Sequence, residues 1–153
     1  MPEKSKPKRL IKKTYLAVIK NSIGSKMFRN FYVIEDGKEF DAVENGELSC
    51  AFYVSSILKL FDFISEIHGT VDGVEKDLVE SGWQKVEEPR IGGVIIWEKK
   101  DFGAGDIHKH IGFYIGNNRA ISTSPEKGYP IGHDLNAVDR NIESIYWNDE
   151  LIK

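Results

Sequence analysis

The chain has 153 residues and a mass of 17.4 kDa, enough for one hydrophobic core and too little for several domains. Its 41% hydrophobic and 29% charged residues exclude a disordered or fibrous composition, and eight Phe, six Tyr and three Trp supply bulk for an interior. The net charge of −3 divides unevenly: residues 1–29 carry +8 and the remainder −11, an acidic body that argues against a nucleic-acid enzyme.

Residues 1–9, with Pro2, Pro7 and four Lys/Arg, read as a flexible basic lead, and residues 10–153 as a single domain. The side chains Lys4, Lys6, Lys8, Arg9, Lys12 and Lys13 read as a solvated tail rather than a contact to lipid or nucleic acid. The apolar stretch that follows is broken by Lys20, Asn21 and Ser22, short of the ~7–15-residue core of a secretory signal. No run approaches the ~20 apolar residues of a membrane span. The expectation is a chain without a signal peptide, cytoplasmic as synthesised, for which release by lysis, a phage-like route and non-classical export stay open.

Tyr15, Val18, Ile19 and Ile23 recur at helical spacing, with Gly24 as the stop. Asn30 to Glu35 reads as a strand entering an Asp36-Gly37 turn, and Glu39 to Glu47, polar and containing Asn45-Gly46, as a loop. From Cys50 the stripe Val54, Ile57, Leu58, Phe61 and Ile64 predicts a helix facing a core. A second helix follows over Val71 to Ser81, with Val74, Leu78 and Val79 as its apolar side and Gly82 as its end. The remainder reads as sheet: Gly93 to Glu98, His110 to Gly116, Arg119 to Ser122, Tyr129 to Leu135 and Ser144 to Trp147, with Gly116-Asn117-Asn118 as a hairpin turn. Helices first and antiparallel strands afterwards predict an α+β fold with helices on one sheet face.

Cys50 is the single cysteine, so no internal disulfide forms. A thiol at a helix start is expected to have a lowered pKa, because unpaired N–H groups favour the thiolate; a buried core cysteine is the competing reading. A nucleophile needs an imidazole within hydrogen-bond reach. His110 opens an alternating strand in which His110, Gly112 and Tyr114 share one face while Ile111, Phe113 and Ile115 point to the core; Gly112 is expected to leave open space beside the imidazole. His68 reads as a helix C-terminal histidine on free carbonyls, and His108 as solvated. His108 and His110 with one cysteine fall short of a zinc ligand set, so no metal site is expected.

Ser49-Cys50-Ala51-Phe52-Tyr53-Val54, Gly93-Val94-Ile95-Ile96-Trp97 and His110-Ile111-Gly112-Phe113-Tyr114-Ile115-Gly116-Asn117 occur in this order. Together they resemble the NlpC-type cell-wall peptidases, a papain-like, CHAP-related family, in which Asp-Cys-Ser-Gly-Phe-Val opens the nucleophile helix. The histidine strand is the most specific of the three. The resemblance covers roughly residues 30 to 125. Here Ser49 replaces the Asp and Ala51-Phe52 the Ser-Gly.

The resemblance implies a papain-like NlpC-type fold, with Cys50 attacking an amide carbonyl, His110 moving the proton and the Cys50 N–H binding the oxyanion. A third residue that orients the histidine falls at Ser122, which carries no charge to hold an imidazolium; His133 or Asp134 is the alternative. The implied substrate is a peptidoglycan stem peptide, cleaved by endopeptidase or amidase action, and the resemblance implies no metal or organic cofactor. The same dyad serves thioesterases, acyltransferases and protein-directed proteases, and the altered Cys50 surroundings also suit a catalytically silent wall-binding module.

Overall fold

The computed structural model of the chain describes residues 3–101 and 107–152. Residues 3–10 are exposed and carry no regular structure. Helix α1 (Ile11–Asn21) buries Tyr15 and Ile19, one turn apart, and ends before Gly24, which leaves Ile23 exposed rather than on the buried stripe. Tyr15 makes edge-on contacts with Phe61, Phe63 and Phe113 and donates its hydroxyl to Gly92 O at 2.8 Å, so α1 is fastened to the centre of the molecule.

Strands β1 (Tyr32–Glu35) and β2 (Lys38–Asp41) form an antiparallel hairpin, where the polar residues from Glu39 onward had suggested a loop. Asp36 and Gly37 both take positive φ, as a two-residue turn between right-twisted strands requires. Burial hardly differs between the two faces of the hairpin, so alternation could not reveal β2. Asp41 closes its base by accepting from the N–H groups of Phe31, Val43 and Asn45. The next turn abuts the turn near residue 128: a Cβ on Gly46 would lie 2.6 Å from Gly128 Cα, so the backbones meet only because both residues are glycine. Arg29 adds a bond to Lys127 O at 3.0 Å, and together these hold the segment leading into Cys50.

Helix α2 (Cys50–Leu60) buries Tyr53, Val54, Ile57 and Leu58 as its spacing predicts, while Phe61 and Ile64 of the expected stripe lie beyond its end. Helix α3 (Val71–Glu80) is capped by Thr70, whose hydroxyl accepts from Gly73 N at 3.1 Å. It buries Val74 and Leu78, but Val79 is exposed and Asp77 occupies the inner side instead.

Six strands, β3 (Gln84–Lys85), β4 (Val94–Asp101), β5 (Ile107–Gly116), β6 (Arg119–Ser124), β7 (Tyr129–Asp134) and β8 (Ile142–Trp147), form an antiparallel sheet in the order β3-β8-β4-β5-β6-β7. The β5–β6 turn has Asn117 and Asn118 at positive φ, as predicted. Ile96, Ile111, Phe113 and Ile121 face the three helices in the main core. On the opposite face Ile95, Trp97, Ala120 and Leu135 make a smaller cluster, covered by the short turn Leu135–Val138. Each fully buried side chain of this kind contributes roughly 1.5–3 kcal/mol. No helix of the described residues is long and apolar enough to cross a membrane.

Candidate active site

Cys50 is the first residue of α2 and is nearly buried. Ser49 precedes it, a residue type that would normally cap the helix, but its hydroxyl donates back to Gly46 O at 3.1 Å and caps nothing. The first N–H groups of α2 are therefore left to face the thiol and anything docked beside it. Burial pushes the thiol pKa up, against the opposing pull of the Ile111 and Ala51 N–H groups and the Arg140 guanidinium. The lowered pKa expected from the helix start is thus not found; desolvation outweighs the dipole. Cys50 opens into a cavity of about 330 Å³ with Leu48, Gly69, Val71, Ile107 and His108 in its wall.

His110 pairs across the sheet with Trp97, and the alternation of β5 sends its ring to the face opposite Ile111 and Phe113. Its Nε2 lies 2.9 Å from Ser122 Oγ, and Ser122 Oγ lies 2.7 Å from His133 Nε2. Two of the three candidates for the third position, Ser122 and His133, are thus members of one chain of hydrogen bonds on β5, β6 and β7. Asp134 contributes only its backbone carbonyl, 2.9 Å from His133 Nδ1; its carboxylate pairs with Arg119. Trp97 packs against both imidazoles, with ring centroids at 5.3 Å and 5.9 Å. Burial, reinforced by the Arg140 guanidinium and the neighbouring rings of His133 and His108, lowers the His110 pKa to about 3, so the ring is neutral at pH 7. Burial lowers His133 as well.

Gly112 does not leave open space. A Cβ there would lie 2.8 Å from both Ile121 O and Ser122 Cβ, and 3.4 Å from the Trp97 ring. The missing side chain is what allows β6 to bring Ser122 against His110. Cys50 approaches β5 at Ile111, the residue after His110, and among the described residues no hydrogen bond joins Cys50 to His110. Cys50 packs with Ile111 and Phe113 on the helix side of the sheet, whereas His110 lines a second cavity together with Ser122 and His133.

His68 is structural, but its partner is the Asp77 carboxylate, 2.7 Å from Nε2, rather than helix carbonyls. His108 is half-buried at the wall of the Cys50 cavity rather than solvated. Arg140 escaped the sequence reading. It donates through Nη1 to His108 O at 2.9 Å, and its charge acts on both Cys50 and His110. An arginine in the polar stretch between two strands carries no signal of that placement.

No family model matches the sequence, and no curated protein matches it. Among solved structures, NlpC2 from Trichomonas vaginalis aligns with a TM-score of 0.56 at 16% identity, over 93% of this chain and 50% of that one. The chain therefore spans half the length of that structure, and at this identity the likeness concerns the fold alone. Helices on one face of a six-stranded antiparallel sheet, matched over nearly the whole chain, make this an α+β protein with an NlpC-like fold.

Proposed function

We propose that the protein is a cysteine hydrolase of amide bonds, with Cys50 as nucleophile, His110 as general base and peptidoglycan stem peptides as substrate. The observations that carry this reading are an uncapped helix start at Cys50, which lies against the Ile111 N–H, and a neutral imidazole at the preceding residue, His110, whose Nε2 is bonded to Ser122. The resemblance of the three sequence segments suggests the substrate, and the NlpC-like fold agrees with the class of fold that resemblance implies.

Thiol and imidazole are both neutral at rest, so attack and proton transfer occur together. The Cys50 proton passes to His110 Nδ1 as sulfur bonds to the carbonyl carbon, and the oxygen takes up negative charge against the helix N–H groups. The C–N bond then breaks and the amine leaves with the proton from His110. Water, deprotonated by the same nitrogen, releases the acyl group and restores the thiol. The Arg140 charge favours thiolate character at Cys50 throughout.

Digestion of purified peptidoglycan followed by mass spectrometry tests the reading: new stem-peptide fragments are expected from the native protein and none from Cys50→Ala. Identical digests from both would overturn it. Cleavage of thioesters or of protein substrates, with the wall left intact, would keep the nucleophile and replace the substrate. In parallel, iodoacetamide labelling of Cys50 is expected to rise with an apparent pKa above the ~8.5 of a free thiol. A plateau already reached below pH 7 would instead indicate a preformed ion pair.

A further inference from the structure

We infer that His133 is a positioning residue of this site, acting through Ser122 to hold His110 in the tautomer that leaves Nδ1 as the proton acceptor. The inference rests on the hydrolase reading above for its consequence, and on hydrogen-bond direction for its argument.

A serine hydroxyl can donate or accept, so Ser122 alone dictates nothing about the ring it touches. Direction enters from the other end of the chain. The Asp134 carbonyl, 2.9 Å from His133 Nδ1, can only accept, so that nitrogen carries the proton. The neutral His133 ring then offers Nε2 as a bare acceptor, 2.7 Å from Ser122 Oγ. The hydroxyl must donate to it, which leaves only the oxygen's lone pairs for His110, 2.9 Å away. His110 Nε2 therefore donates, and Nδ1 holds the lone pair.

A backbone carbonyl does not titrate, so the direction is anchored at a group that keeps its role. The same bond from His110 Nε2–H to Ser122 serves the neutral ring and the imidazolium that follows proton uptake, so nothing need reorganise during the reaction. Trp97 lies against both rings, which limits their rotation away from the chain. A serine followed by a histidine one strand further on thus does what a single carboxylate, amide or imidazole would do in contact with the base.

Long-range 1H–15N spectra distinguish the protonated from the bare nitrogen of each ring. The native protein at pH 7 is expected to show Nε2–H at His110 and Nδ1–H at His133; Nδ1–H at His110 would overturn the inference without any variant having to fold. In His133→Phe the single His110 tautomer is expected to be lost, and iodoacetamide labelling of Cys50 at pH 7.5 to slow about tenfold, a part of what a positioned base contributes. His133→Gln, whose amide oxygen can accept from Ser122, is expected to recover most of that rate. A His133→Phe protein that keeps Nε2–H and native labelling would overturn the inference. The tautomer readout uses neither substrate nor Cys50. Failure of peptidoglycan cleavage with the expected tautomers would remove the hydrolase reading and leave the relay; the reverse result would remove the relay alone.

Discussion

Gly112 shows how one missing side chain determines the chemistry beside it. Its role is a close approach: Ser122 Cβ and the Ile121 carbonyl occupy the volume a methyl group would need. Gly112→Ala is expected to destabilise the fold by about 1–3 kcal/mol, the usual cost of overpacking, and to lengthen the contact from His110 to Ser122. Thermal melting measures the first effect and the His110 tautomer the second. An alanine variant with native melting and a native His110 spectrum would show that β5 and β6 yield more readily than their backbone contact implies. Cys50 and His110 are governed by the same burial. Desolvation drives the thiol pKa up and the imidazole pKa down, which makes both groups neutral across the neutral range.

Among the elements, the connection from α2 to α3 has the most direct bearing on the site, because Gly69 and Val71 form part of the Cys50 cavity. Asp77 holds this connection. Its carboxylate accepts from the N–H groups of Ser65 and Glu66, the hydroxyls of Ser65 and Ser81, and His68 Nε2, all within 2.7–3.0 Å. Ser55 on α2 completes the tie by accepting from His68 N at 2.9 Å. Asp77→Asn keeps the shape but replaces one acceptor oxygen by a donor facing donors; a loss of about 3 kcal/mol is expected, the cost of leaving one side of a buried charged network unmatched. Chemical denaturation measures it, and a loss below 1 kcal/mol would mean the connection is held elsewhere. A second network anchors α3 to the sheet: the Lys109 ammonium reaches Asp72 at 3.2 Å, Glu75 at 3.4 Å and Glu143 at 3.2 Å, which raises its pKa despite the opposing effect of burial.

For the whole molecule these groups set a response to acid. His110 titrates near 3 in the folded chain against about 6.5 unfolded, so between those values only the unfolded chain takes up the proton, and stability falls as pH drops below ~6.5. Burial alone would raise the Asp77 pKa, but the bonds from Ser65, His68 and Ser81 hold its carboxyl well below the usual carboxylate range, so a second loss begins under pH ~4 as the unfolded carboxyl protonates and the folded one does not. Melting temperature is expected to decline from pH 7 to 5 and more steeply below 4; a flat profile between 7 and 5 would contradict the buried neutral state of His110. Much of this molecule was legible in its residues. The Cys50 helix, the alternation of Ile111 and Phe113 against His110, and the Asp36-Gly37 and Asn117-Asn118 turns follow from local backbone preference and from period, which neighbours in sequence are enough to specify. What lay beyond the sequence depends on strands far apart in the chain. Only the β5-β6-β7 pairing brings His110, Ser122 and His133 into one hydrogen-bonded line and closes β6 over Gly112. Only tertiary burial reverses the expected shift at Cys50, because the cost of desolvation depends on what covers a side chain, whereas a helix start is a property of the residues beside it.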